Sequence, residues 1–120
     1  MAPKRKRLRW FQAGINTPPF TEEGKLAAGT LLRLLQEGEV LGMPQARAMP
    51  SIGRRCGELR IRDSEHNWRI IYRVDDDAVL VVDAFAKKTQ QTPSEIVQRC
   101  QKRLALYDAA KAAAEKGRNS

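Results

Sequence analysis

Glu58-Leu59-Arg60-Ile61-Arg62, Trp68-Arg69-Ile70-Ile71-Tyr72-Arg73-Val74 and Ala78-Val79-Leu80-Val81-Val82-Asp83-Ala84-Phe85 are the three runs that decide the fold. The first alternates strictly. Leu59 and Ile61 point one way, and Glu58, Arg60 and Arg62 the other, as the two-residue period of a strand requires. The second alternates as well, with Trp68, Ile70, Tyr72 and Val74 on one face and Arg69, Ile71 and Arg73 on the other. The third is almost continuously apolar, which marks a central strand covered on both faces. The polar link Asp63-Ser64-Glu65-His66-Asn67 and the turn Asp75-Asp76-Asp77 are short, so the three strands form an antiparallel meander.

Helices flank the meander. Downstream, Thr92-Pro93-Ser94-Glu95 combines a capping threonine, a proline at the first helical position and a glutamate three residues after the cap. Ile96, Val97, Cys100, Leu104 and Tyr107 then share one helical stripe, with Arg99, Lys102 and Arg103 off it. The alanine-rich stretch from Ala109 to Glu115 continues that helix, which frays toward Gly117. Upstream, Ala27, Leu31, Leu34 and Leu35 recur at helical spacing over Lys25 to Gln36, and Gly38 is the expected stop. Residues 39–57, punctuated by Gly42-Met43-Pro44 and Met49-Pro50, read as a long connector. Lys6 to Phe11 reads as a short first strand. The expected architecture is one α+β domain over residues 1–120. Its antiparallel sheet, an N-terminal strand plus the meander, packs against an N-terminal and a C-terminal helix. Residues 1–5 form a basic flexible arm and 117–120 a frayed tail.

The chain has 120 residues, of which 42% are apolar and 30% charged, enough for one modest core. No apolar run approaches the ~18 residues of a membrane helix. The basic start lacks the apolar stretch of a secretory signal. These features predict a soluble chain without membrane contact. Cys56 and Cys100 stand alone without ligand spacing, which excludes a Cys/His zinc site and makes a disulfide framework unexpected. No phosphate-cradling glycine motif occurs, and the Asp75–Asp77 run reads as a solvated turn rather than a cation site. Neither a metal nor a cofactor is expected.

The net charge of +8 is uneven. Residues 1–10 and 87–120 each carry +5, while the middle carries −2. An anionic partner, nucleic acid or an acidic protein, follows from that balance. The meander sharpens the expectation. Arg60 and Arg62 lie on one strand, Arg69 and Arg73 on its neighbour, and Lys87 and Lys88 where the third strand ends. Strands are ~4.8 Å apart, so these cations can converge and clamp phosphate oxygens. Trp68, Tyr72 or Trp10 would stack on bases if exposed. A sheet with one solvated face would also display arginines, offset by Glu58, Asp63 and Asp83. Arg60 and Arg69 interrupt apolar stretches, however, and an arginine buried there requires Glu58, Asp83 or a ligand as partner. His66, flanked by Glu65 and Asn67, titrates near neutrality but sits in a polar loop.

Attack by a ribose 2′-hydroxyl on its own phosphate needs a proton acceptor, stabilisation of the charged phosphorane, and a proton donor for the leaving oxygen. Packed Arg and Lys supply the second directly. Crowding among like charges lowers a lysine pKa, so Lys87 or Lys88 can carry the proton. Such a site would be slow on free RNA and effective only where something else positions the substrate.

Three motifs carry a family resemblance: Gly57-Glu58-Leu59-Arg60-Ile61, then Trp68-Arg69-Ile70-Ile71-Tyr72, then Phe85-Ala86-Lys87-Lys88-Thr89-Gln90-Gln91-Thr92-Pro93-Ser94-Glu95-Ile96. In this order they resemble the RelE/ParE toxin superfamily, most closely its HigB-like, phage-associated branch, over about residues 53–107. The resemblance implies a cytoplasmic toxin of a type II toxin–antitoxin pair, with an antitoxin protein covering the active surface. It implies an endoribonuclease that cuts mRNA on the ribosome, with Arg60, Arg69, Lys87 and Lys88 as the catalytic set. Arg73 fits the same face, and Arg62 and Trp68 complete an RNA-binding set. Some members use a tyrosine or histidine near the C-terminus, where this chain offers only Tyr107, on the apolar stripe. A gyrase poison and a non-toxic nucleic-acid binder on the same fold are the alternatives.

Overall fold

The computed structural model describes residues 5–11, 20–63, 66–86 and 92–118. Along the chain run β1 (Arg7–Trp10), α1 (Glu22–Gln36), β2 (Ala46–Ala48), β3 (Cys56–Arg62), β4 (Asn67–Val74), β5 (Ala78–Ala86) and α2 (Ser94–Arg118). The five strands form one sheet in the order β1-β5-β4-β3-β2. The α+β class and the β3–β4–β5 meander follow the sequence. The sheet is mixed rather than antiparallel throughout, because β1 runs parallel to β5, pairing Leu8 with Val79 and Trp10 with Val81. The connector is also not all loop: β2 lies within it and pairs Arg47 with Glu58, and β3 already begins at Cys56.

Each face of the sheet carries a helix, and the alternation assigns the residues. Leu59, Ile61, Trp68, Ile70, Tyr72, Val79 and Val81 pack with Ala28, Leu32 and Leu35 of α1. Cys56, Ile71, Ala78, Leu80 and Val82 pack with Cys100 and Leu104 of α2 and with Met49 and Ile52 of the connector. Tyr72 lies across its β3 partner Gly57, where an added Cβ would sit 2.3 Å from the hydroxyl oxygen. A side chain at 57 would therefore displace the ring.

One irregularity positions α2. Tyr72 pairs with Val81 and Ile71 with Asp83, so Val82 is an extra residue in β5. The bulge reverses the phase of alternation beyond it. Without it Asp83 would enter the α1 core. With it Asp83 faces α2, where its carboxylate accepts from Arg99 Nε at 2.8 Å and lies 3.6 Å from Arg103 Nη1.

The start of α1 is fixed by side chains. Thr21 caps α1, its hydroxyl oxygen accepting from the Gly24 amide, and Asp63 at the end of β3 accepts from the Thr21 amide at 2.9 Å. Gly24 is required there, because a Cβ would meet the Asp63 carboxylate at 2.8 Å. Gly38, with φ of +92°, stops α1 as expected, the Glu39 amide returning to the Leu34 carbonyl. α2 continues through Gly117 to Arg118, beyond the expected fraying point, and most of its last ten residues are exposed. Of the expected basic arm, residues 1–4 lie outside the described residues, while Arg5 pairs with Glu37 at 3.1 Å. Among the described residues no helix is long and apolar enough to cross a membrane.

Candidate functional site

The α2 side of the sheet is not covered evenly. α2 packs against β5, and toward β2 and β3 the face opens into a cleft of about 440 Å³ lined by Pro44, Gln45, Arg60, Arg62, Asn67 and Arg69. Its floor is a cross-strand row. Arg60 on β3 stands directly opposite Arg69 on β4, and Arg62 opposite Asn67. The Arg60 amide donates outward to the Gln45 carbonyl at 2.8 Å. Arg60 and Arg69 therefore form a non-hydrogen-bonded pair, the kind whose side chains approach most closely.

Like charges placed directly opposite destabilise a sheet, and here compensation is partial. Nε of Arg60 and Nε of Arg69 are both buried without a hydrogen-bond acceptor. Arg69, whose side chain is 14% exposed, lies 3.4 Å through Nε from Oε1 of Glu58, a fully buried carboxylate. That is ion-pair range, longer than a normal N–H···O bond. Nη1 of Arg69 donates to the Trp68 carbonyl at 3.1 Å. Burial pulls the Arg69 guanidinium below its ordinary pKa. Glu58 opposes that shift, and the charge of Arg60 adds to it. Arg60 makes no ion pair among the described residues. Three guanidinium groups thus share one cleft, and among the described residues Glu58 is the carboxylate beneath them.

The other residues singled out from sequence fall elsewhere. Lys87 and Lys88 lie outside the described residues. Trp68 is a correction: it is 7% exposed and packs edge-on against Phe20 in the α1 core, on the opposite face from the arginines. It cannot stack on a base there. Arg73 is a second correction. It shares the arginine face, but its guanidinium donates to Asp75 at 2.8 and 2.9 Å and to Asp108 of α2 at 2.9 and 2.6 Å. Four of its five donors hold the fold together, so Arg73 has little left for a ligand. Asp83, offered as a partner for the cleft arginines, is taken by α2.

Tyr72 is buried, and Trp10 is half-buried against the α1 core. Tyr107 stacks on Phe11 beneath Arg9 and Arg73, so it belongs to the packing of α2. His66 is exposed and leans on Trp68. Cys56 and Cys100 are buried thiols. Burial raises both, and Cys100 reaches about 12, so neither is a ready nucleophile.

Gln45, Asn67 and Glu58 complete the site. Asn67 was read from sequence as part of the polar link; it is the first residue of β4 and shares parity with Arg69. Gln45 was hidden because a three-residue strand between two prolines carries almost no periodic signal.

The fold and the cleft together define a small basic α+β domain with an arginine-lined cleft beside β2 and β3 of its sheet. Within that class the chain belongs to the phage-derived Gp49-like proteins: the family model described as "Phage derived protein Gp49-like" matches residues 20–105. That span includes the whole cleft. No curated protein matches the chain.

Proposed function

We propose that this chain is the toxin of a type II toxin–antitoxin pair, of RelE/HigB type, and that it cleaves mRNA on the translating ribosome. The observation that carries the reading is the Arg60–Arg69 pair: two directly opposed, half-buried guanidinium groups, open to solvent in one cleft and short of counter-charge. Family membership and the motif resemblance support it.

In the reaction the ribose 2′-oxygen bonds to phosphorus and the P–O5′ bond breaks, leaving a 2′,3′-cyclic phosphate and a 5′-hydroxyl end. The phosphorane on the way carries extra negative charge on its equatorial oxygens. Arg60, Arg62 and Arg69 are assigned its binding, supplying N–H donors and positive charge where charge stabilisation is worth most. Lys87 and Lys88, adjacent in sequence to the end of β5, are assigned the proton transfers: one takes the 2′ proton, the other protonates O5′. The ribosome supplies the alignment that the open cleft does not. The partner in the cell is an antitoxin that covers the cleft, and the site of action is the cytoplasm.

The test is inducible expression in bacteria, with primer extension on a reporter mRNA while translation runs or is blocked. Cuts that appear only during translation and vanish with Arg60→Gln support the reading. Growth arrest with intact mRNA overturns it and points to a gyrase-type target on the same fold. Unimpeded growth points to a non-toxic nucleic-acid binder.

A further inference from the structure

Glu58 is the least expected residue beneath the cleft. A fully buried carboxylate is costly unless it is paired, and a glutamate on the sheet face under three arginines could have served any of them. Its described contacts are specific. Oε1 lies 3.4 Å from Arg69 Nε, and Oε2 accepts from the hydroxyl of Thr92 at 2.5 Å. Thr92 precedes α2 and does not line the cleft. The hydroxyl read from sequence as the cap of α2 is therefore directed to the floor of the cleft.

We propose that Glu58 is a positioning residue for Arg69, and that Thr92 holds Glu58 in place, so that the start of α2 sets the orientation of the arginine. The proposal rests on the reading of the cleft as an RNA-cleaving site. Glu58 approaches Nε, and the Trp68 carbonyl accepts from Nη1. The guanidinium is thereby held by one hydrogen bond at Nη1 and by ion-pair attraction at Nε, and among the described residues Nη2 has no hydrogen bond or ion pair, which leaves it to present to a ligand. Arg60 has no such anchor.

The two arginines then have unlike roles. Arg60 supplies the less compensated charge and adapts to the phosphate. Arg69 supplies a fixed donor whose direction is built in before the ligand arrives. Preorganisation of this kind raises the rate of the chemical step more than it raises affinity.

The experiment compares wild type, Thr92→Val, Thr92→Ser and Glu58→Gln on ribosomes programmed with a short mRNA, measuring the single-turnover cleavage rate and the half-saturating toxin concentration. Nitrogen-15 NMR of the Arg69 Nε–H is recorded on the free proteins. Thr92→Val is expected to lower the rate roughly 10- to 100-fold, the range for losing an outer partner that orients a ligand-holding group. Half-saturation should stay within about 2-fold, because the arginines that give affinity remain. Thr92→Ser should restore the rate. Glu58→Gln should act in the same direction, and the double variant should fall less than the product of the two.

The Arg69 Nε–H signal should shift and broaden in Thr92→Val. Wild-type rates in Thr92→Val, or an unchanged Nε–H signal, would overturn the coupling. A rate loss that tracks a fall in thermal stability would reduce Glu58 to a structural ion pair. If wild type itself fails to cut, the functional reading fails, while the NMR comparison still decides whether Thr92 positions Arg69.

Discussion

Arg69 and Arg73 occupy the same strand and the same sheet face, four residues apart, yet the structure uses them in opposite ways. Around Arg73 the acids match the cations: Asp75 and Asp108 both present paired oxygens to it, and Arg55 reaches Asp75 from 3.7 Å. Its guanidinium is pinned between the β4–β5 turn and the middle of α2. Around Arg69 the cations are in surplus. Arg60 stands opposite, Arg62 lies next to it along the cleft, and the described counter-charge is Glu58. Strand alternation decides which face an arginine joins. Carboxylates brought in by other elements decide whether it becomes a structural clamp, as at Arg73, or stays less compensated, as at Arg69.

The comparison breaks first, and most heavily, at Arg73. Arg73→Ala leaves Asp75, itself 8% exposed, without its bidentate partner and frees Asp108 from the sheet. Removing one member of a buried ion pair destabilises by about 3–5 kcal/mol. Urea unfolding should read that loss. Arg73→Lys should recover only a part, since an ammonium cannot make two parallel pairs of bonds.

Arg60→Gln should behave in the opposite way. It removes one of two opposed like charges, so stability should stay within about 0.5 kcal/mol of wild type or rise. Ribosome-dependent cleavage should fall about 10²- to 10³-fold, the loss typical of removing one N–H donor to a developing oxyanion. An Arg60→Gln protein that unfolds like Arg73→Ala would erase the distinction between the two regions.

How far the sequence reveals this division is itself instructive. The faces were legible: period-two alternation in Glu58–Arg62 and Trp68–Val74 places Arg60, Arg62, Arg69 and Arg73 together and the Trp68 ring opposite. Partners were not legible, because they depend on elements remote in sequence. Asp108 reaches Arg73 across 35 residues. The Val82 bulge turns Asp83 toward α2 and removes it from the list of cleft acids, and within the apolar run Ala78–Val82 a bulge leaves no periodic trace. Trp68 shows the converse error. Its alternation already put it with Ile70 and Tyr72 in the core, so the base-stacking role could have been rejected from the pattern alone. β1 was found as a strand but not as a parallel one, since the order β1-β5 depends on where α1 returns the chain.

The smallest expected effect separates the two acids of the clamp. Arg73 donates to the Asp108 carboxylate and holds its pKa below the ordinary value against a weaker opposing effect of burial. A carboxyl depressed in the folded state adds stability above its unfolded value, near 3.9, and loses it as pH falls through the lower folded value. Because the Asp108 side chain is 54% exposed, solvent screens the pair, and its contribution at pH 7 should be under about 1 kcal/mol. Asp108→Asn should therefore lower stability slightly at pH 7 and flatten its share of the decline below about pH 4. Urea midpoints for both proteins at pH 7, 4 and 2.5 measure this directly. A loss at pH 7 as large as that of Arg73→Ala would mean that α2, and not the β4–β5 turn, is what holds Arg73. The clamp would then be a tether between β4 and α2 rather than part of the sheet alone, and its strength would depend on how α2 is seated.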